Sequence, residues 1–296
     1  MLNLKELYFN ILMNKLSIDF GGTTYSFLIF ENDNILLKSP SFDLKKFNNY
    51  QDLLFEISNK VSKIVDKIDF IGVACPGPLD SKSGIVLNTP NLTIFQNLNL
   101  KEEIKKYFKC SNVNIENDAN VYALGSYYLL KNKQDNDVLL GITLGTGIGF
   151  GIIINGRLFQ GSYGMSGEYE LSPLENNKTW ANLIGYRFFE NQEGLTPKQI
   201  FDKAEKNDEV SKNIWKEYGK NIGMCLSHVI GVINPNHISI GGGVSKAKKY
   251  FHKSMVEYLE KYCLIFDKQK INFFYDEENL HMYYGGLCLN KKYILI

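Results

Sequence analysis

The sequence predicts an α/β protein of two lobes built on one plan, and three observations lead there. The chain has 296 residues, 44% of them hydrophobic, enough for two domains with real cores. It opens on a strand, a glycine-rich tight turn and a second strand, KLSIDFGGTTYSFLIF (15–30). A second hairpin of the same kind, DVLLGITLG (137–145) into FGIIING (150–156), starts another alternation of strands and helices.

The elements follow in order. ILLKSPSF (35–42) reads as a third strand, and 47–67 as a helix with Leu53, Leu54, Ile57, Val61, Ile64 and Val65 at helical spacing. DFIGVACPG (69–77) is a buried strand ending in a Pro-Gly break. LKEEIKKYF (100–108) is a helix, NVNIEN (112–117) a strand, and DANVYALGSYYLL (118–130) a helix with Asp118 at its start, where a carboxylate is favoured. In the second series Asn155-Gly156 closes a hairpin into RLFQG. Helices are expected near 179–190, 197–206 and 208–233, a strand at 237–245, and helices at 246–262 and 279–293. The lobes then divide near Asn117 into 1–117 and 118–278, with the last helix (279–296) returning to the first lobe.

Composition narrows the function. A net charge of +1 with mixed signs gives no nucleic-acid groove and no basic membrane face. Cys75, Cys110, Cys225, Cys263 and Cys288 are odd in number and lack CxxC spacing, as for reduced thiols in a cytoplasmic protein. The first dozen residues read as an upstream extension before Met13, interrupted by Lys5 and Glu6, and are neither a signal peptide nor a span.

TLGTGIGFGIII (143–154) puts glycine at every second position, Gly145, Gly147, Gly149 and Gly151, so that all four lie on one strand face. Bare backbone there suggests close approach by a phosphate. Phe150 breaks a dinucleotide fingerprint, and no GxxxxGK[ST] loop occurs. DFGGTTYSF (19–27) repeats the theme: Gly21 and Gly22 free the turn, Thr23 and Thr24 donate hydroxyls, and Asp19 beside phosphates calls for a cation, Mg²⁺ held through water. Either hairpin alone is also what an ordinary β-turn gives. ISIGGGVS (238–245) ends a strand in Gly241, Gly242 and Gly243 before a helix, a break that suits an adenine or ribose and equally a plain strand-helix turn.

In this order the pieces resemble the ROK family of sugar kinases, in the actin, hexokinase and Hsp70 fold group. The segments are IDFGGTT, GVACPGPLDSKSGIVLNTPNL (72–92), IENDANVYALG (115–125), TLGTGIGFGIIINGRLFQGSYGMSGE (143–168) and NPNHISIGGGVS (234–245). The resemblance implies two lobes of the actin-like ATPase (ribonuclease H-like) fold with a cleft between them. It implies ATP and Mg²⁺ as cofactors and transfer of the γ-phosphoryl group to a sugar 6-hydroxyl. Asp118 would be the base, with Asn117, Glu168 and the Gly77 backbone on the sugar; by position alone Asp118 is also a helix cap. Gly21, Gly22, Thr23, Thr24, Gly145, Thr146, Gly147, Gly242 and Gly243 would hold the nucleotide, with Asp19 towards Mg²⁺. A homodimer is also implied.

Two departures stand out. Leu171 occupies the family's usual histidine position after Glu168, and 172–185 holds no cysteine or histidine, so no zinc is expected and the loop 169–180 must be ordered by packing, with Trp180 as the candidate centre, or by partner contacts. Glu175, nearest to a second sugar glutamate of some members, reads as a solvated loop charge. The pattern leans towards N-acetylmannosamine; glucokinase, β-glucoside kinase and a non-catalytic sugar sensor are the alternatives. A DNA-binding domain is not expected, with about fifteen residues before the first strand against the roughly fifty a domain needs.

Overall fold

The computed structural model describes residues 13–87, 89, 92–192 and 194–290. The reading of residues 1–12 as an extension, positions 88, 90 and 91 of the 72–92 motif, and the expected helix beyond 290 lie outside them. The chain divides into two compact units, Met1–Asn117 and Asp118–Ile296.

In the first unit β1 (Asn14–Phe20) and β2 (Thr24–Glu31) form the opening hairpin, with β3 (Asn34–Lys38) and β4 (Phe42–Asp43) on its outer edge. The expected third strand is therefore split at Ser39-Pro40, where the Ser39 hydroxyl accepts from the Phe27 amide at 2.8 Å. Helix α1 (Tyr50–Ser62) buries Leu53, Leu54, Ile57 and Val61, as its spacing predicts. Strand β5 (Phe70–Cys75), buried throughout, runs parallel to β1. The short β6 (Leu79–Asp80), β7 (Ile85–Val86) and β8 (Leu98–Asn99) make a side sheet absent from the sequence reading. Helix α2 (Leu100–Phe108) leads to β9 (Val113–Asn117), parallel to β5, and the main sheet runs β3-β2-β1-β5-β9.

The second unit repeats that order. Helix α3 (Asp118–Leu129) precedes the antiparallel hairpin β10 (Val138–Leu144) and β11 (Ile148–Ile154). Asn155 and Gly156, both at positive φ, turn the chain into β12 (Arg157–Leu158) as the Asn-Gly pair predicts. Helices α4 (Trp180–Ile184), α5 (Tyr186–Glu190), α6 (Pro197–Glu205) and α7 (Glu209–Ile233) follow. The single helix expected near 179–190 is broken at Gly185, and the break sends the Tyr186 amide to the Thr146 carbonyl at 3.0 Å. Then come β13 (His237–Gly241), α8 (Lys248–Tyr262), β14 (Asn272–Tyr275) and α9 (His281–Cys288). The sheet runs β12-β11-β10-β13-β14, with β13 parallel to β10. Two units, each an antiparallel hairpin continued by parallel strands, make the actin-like ATPase fold. Helix α9 packs along α3 within the second unit, whereas the sequence reading sends residues 279–296 to the first.

The alternating glycines resolve into two roles. Ile148, Phe150 and Ile152 enter a core with Trp180, Trp215 and Tyr218. On the opposite face α3 rests directly on backbone. A methyl at Gly149 would lie 2.8 Å from the Ala119 Cβ, and one at Gly151 2.7 Å from the Ala123 Cβ. Gly141 of β10, paired across from Gly151, meets the same Ala123 at 2.8 Å. Gly149 and Gly151 are thus bare to seat a helix, which corrects their reading as ligand-facing. A methyl at Gly145 would meet nothing within 4 Å.

Gly151→Ala should therefore destabilise the protein by about 1–3 kcal/mol in urea unfolding, by overpacking the α3 seat. Gly145→Ala should stay within about 0.5 kcal/mol of the parent.

Candidate active site

Parallel strands deliver their ends to one edge of a sheet, where α/β proteins place ligands. In the first unit Asp19 of β1 is in register with Ala74 of β5, and Cys75 of β5 with Asn117 of β9. Asp19, the Gly21–Thr24 turn, Gly77 and Asn117 therefore share that unit's carboxyl edge. The turn is closed by the Gly21 amide donating to the Thr24 carbonyl at 2.8 Å, and the Thr23 carbonyl accepts from the Leu44 amide at 2.9 Å. The Asn117 amide donates to the Glu116 carboxylate at 2.8 Å.

In the second unit Thr143 is in register with Gly241. The β10–β11 turn (Gly145, Thr146, Gly147) and the Gly242-Gly243 break thus lie at one edge. Gly242 (φ +85°) is held by packing, since a methyl there would lie 2.8 Å from the Leu144 nitrogen. Gly243, like Gly145, opens to space.

Three carboxyls converge in this unit. Asp118 starts α3 and accepts its neighbour Ala119's amide at 2.9 Å. Burial pushes its carboxyl up to about 6, the Ala119 hydrogen bond opposes the rise, and the Glu170 charge adds to it. Helix starts stabilise carboxylates; here loss of water outweighs that. Glu168 and Glu170 sit on the 3-10 turn Glu168–Leu171. Glu168 is raised by burial, then by the charges of Glu170 and Asp118. Glu170 is raised by burial, against a hydrogen bond from the Ile148 amide at 2.8 Å. Gly167 (φ +91°) aims this turn, pressed on the Phe150 carbonyl so closely that a methyl would lie 3.0 Å from its carbon. Perturbed acids gathered beside bare backbone mark a functional site.

The comparisons with known proteins fit this geometry. A family model described as ROK family matches residues 15–179 and 175–274. The chain belongs to the ROK family. It is 25% identical over 280 residues to a glucokinase of Thermotoga maritima, covering 84% of this chain and 88% of that one. It is 28% identical over 264 residues to a β-glucoside kinase of Listeria monocytogenes, again covering 84% and 88%. The solved structure of a suggested N-acetylmannosamine kinase from Listeria monocytogenes superposes with a TM-score of 0.75 at 26% identity, covering 94% of this chain and 98% of that one.

Within this ROK chain the segment after Glu168 is held by aromatic packing. Tyr169 lies between Phe150 and Trp180, with ring centroids 6.0 and 6.1 Å away, and its hydroxyl pairs with the His228 Nδ1 at 3.1 Å. Trp180 is buried and meets the His228 ring edge-on at 5.4 Å. Leu171 is 62% exposed. Glu175 is exposed. Among the described residues no three His, Cys, Asp or Glu side chains are grouped to hold a metal ion. No described helix is long and apolar enough to cross a membrane.

Of the expected residues, the second unit brings Asp118 and Glu168 together, and Gly145–Gly147 and Gly242-Gly243 to one edge. Glu170 escaped the sequence reading. Its signal was available: a second acid two positions after Glu168, with no basic residue in the segment to neutralise it.

Asp118 ionises at a cost in stability. Its folded pKa of about 6 exceeds the ordinary 3.8, so the folded state holds the proton more tightly and loses stability as pH rises from 4 through 6. Asp118→Asn should raise the unfolding free energy by about 1–3 kcal/mol at pH 7.5, and the gain should vanish near pH 4 in denaturant titrations.

Proposed function

We propose that this protein is an ATP-dependent sugar kinase that phosphorylates the 6-hydroxyl of a hexose or N-acylhexosamine, with N-acetylmannosamine as the preferred acceptor. The observation that carries the reading is Asp118. It starts a helix whose next residue, Ala119, is seated on Gly149, two positions along β11 from Gly147 of the glycine turn, and its carboxyl is raised to about 6. A base poised near neutrality accepts a hydroxyl proton as phosphoryl transfer proceeds, worth roughly 10²–10⁴-fold. The remaining acceleration comes from positioning and charge stabilisation.

In this reading Asn117 and Glu168 bind sugar hydroxyls and the Gly77 backbone contacts the ring. The amides and hydroxyls of Gly21–Thr24 and Gly145–Gly147 receive phosphate oxygens, and Gly242-Gly243 the adenosine. Magnesium neutralises phosphate charge when bound. Asp19, near the end of β1, would face an ion that arrives on the nucleotide and keeps its waters. The proposal includes a homodimer in the cytoplasm.

The acceptor is argued from two facts. The structural relative from Listeria monocytogenes is a suggested N-acetylmannosamine kinase. Leu171 is an exposed apolar side chain at the end of the 168–171 turn, suited to an acyl group. A glucose or β-glucoside acceptor is the second reading, favoured by the names of the relatives from Thermotoga maritima and Listeria monocytogenes.

A coupled ADP-release screen across hexoses and N-acylhexosamines tests both. The expected result is sugar-dependent turnover, greatest with N-acetylmannosamine, and a loss of about 10²–10⁴-fold in kcat for Asp118→Asn with sugar binding kept. Sugar binding without any turnover in the parent would instead make the chain a sensor and end the proposal.

A further inference from the structure

Glu170 has no part in the contacts proposed to sugar or nucleotide, yet three observations tie it to the site. First, its Oε2 accepts the Ile148 amide at 2.8 Å. Gly145 donates to the Gly147 carbonyl at 3.0 Å, so the next pair along the hairpin, Leu144 and Ile148, turns its amides away from each other. The Ile148 amide therefore faces the outer edge of β11, which β12 covers only at Ile153 and Ile154. Glu170 supplies the acceptor a neighbouring strand would otherwise provide. Second, the carboxylate lies against the turn: a methyl at Gly147 would sit 2.6 Å from Oε2. Third, its charge acts on both Asp118 and Glu168.

We propose that Glu170 is a positioning residue: it clamps the Gly145–Gly147 turn to the segment that carries Glu168, and it keeps a second negative charge beside Asp118. The clamp joins two parts of the site that lie 22 residues apart along the chain, Ile148 and Glu170. The charge holds the Asp118 proton affinity near the working range of a base.

Few other groups compete for that role. From β10 and β11, α3 meets glycines at Ala119 and Ala123, none of them charged. From the 168–171 turn come Glu168 and Glu170. Helix α9 brings His281, but that ring pairs with Ser126 at 2.9 Å, about two turns along α3 from Asp118. Burial raises all three carboxyls; the Glu170 charge adds to Asp118, and the Glu170 and Asp118 charges add to Glu168, opposed by the Ala119 amide and the Asp118 backbone at Asp118 and by the Ile148 amide at Glu170.

The inference rests on Asp118 being the base, so its test includes readouts that need no turnover. Glu170→Gln keeps an acceptor oxygen and removes the charge; Glu170→Ala removes both. In protein labelled with ¹³C at aspartate carboxyls, the Asp118 signal is assigned by its loss in Asp118→Asn. Its titration midpoint should fall by about half a pH unit or more in both Glu170 variants. The Ile148 amide should exchange with solvent about tenfold faster in Glu170→Ala and at the parent rate in Glu170→Gln. In turnover, the acid limb of kcat should move to lower pH in both variants. KM for ATP should rise about tenfold in Glu170→Ala and less than about threefold in Glu170→Gln.

An unmoved Asp118 midpoint in both variants, or an Ile148 amide indifferent to Glu170→Ala, overturns the inference. A parent that phosphorylates no sugar overturns the proposed function instead, while the resonance and exchange measurements still decide Glu170.

Discussion

Helix α3 rests on backbone with almost nothing between, and the second unit is organised around that contact. Gly141, Gly149 and Gly151 remove the side chains that would lift Ala119 and Ala123 off the β10–β11 hairpin. On its other side, Gly125 of α3 and Gly285 of α9 meet the main chain of the opposite helix, at the His281 and Val121 carbonyls. A helix gripped in this way on two sides cannot slide by a fraction of a turn without a steric clash, because packed interiors have no spare volume. Asp118 is the first residue of that helix. Its distance from the hairpin turn is therefore set by a stack of small residues, before any hydrogen bond is counted. Tight packing of this kind gives the precision that a reacting group needs and that a loop would not provide.

The same rigidity makes the charge arrangement possible. Burial raises the proton affinity of Asp118, Glu168 and Glu170 alike, and the Glu170 charge adds to the rise at both Asp118 and Glu168. Left free, three such acids would turn apart into water. Here Asp118 is fixed by α3, Glu170 by the Ile148 amide, and Glu168 by Gly167 and by Tyr169 locked between Phe150 and Trp180. The fold thus holds a repulsive cluster together with contacts made elsewhere, the usual relation between a strained site and a stable scaffold. The aromatic group of Tyr169, Trp180 and His228 is part of this support, and it orders a loop whose sequence has no metal-ligand pattern to order it.

Much of this was legible in the sequence because it depends on short-range rules. Both hairpins, the helix-strand alternation and the Asn-Gly turn at 155–156 follow from period, turn residues and glycine runs. Other features depend on partners far along the chain. Strand β14 lies between Ile271 and Asp276 as four residues, Asn-Phe-Phe-Tyr, too short for alternation to declare itself, and it exists because β13 offers a parallel edge. The break at Gly185 that splits α4 from α5 is fixed by Thr146, some forty residues earlier. Glu170 reads as one more surface acid until the edge of β11 is seen to lack a strand there.

The glycines carry the sharpest lesson, because a residue without a side chain gives the same sequence signal whatever lies against it. Within the TLGTGIGFG stretch, Gly149 is bare for α3, Gly147 lies against a carboxylate, and Gly145 faces nothing in the protein. In the GGG break, Gly241 is bare for the Tyr122 ring, Gly242 for the end of β10, and Gly243 again faces nothing. Only the two open positions lack an internal reason to be glycine. They lie beyond neighbouring parallel strands whose last paired residues, Thr143 and Gly241, are in register. Adjacent strands are about 5 Å apart, so a ligand reaching both positions needs only the span from a phosphate group to the sugar of the same nucleotide. The two glycines that protein packing leaves unexplained are thus the two that a single nucleotide, laid across the ends of β10 and β13, would account for together.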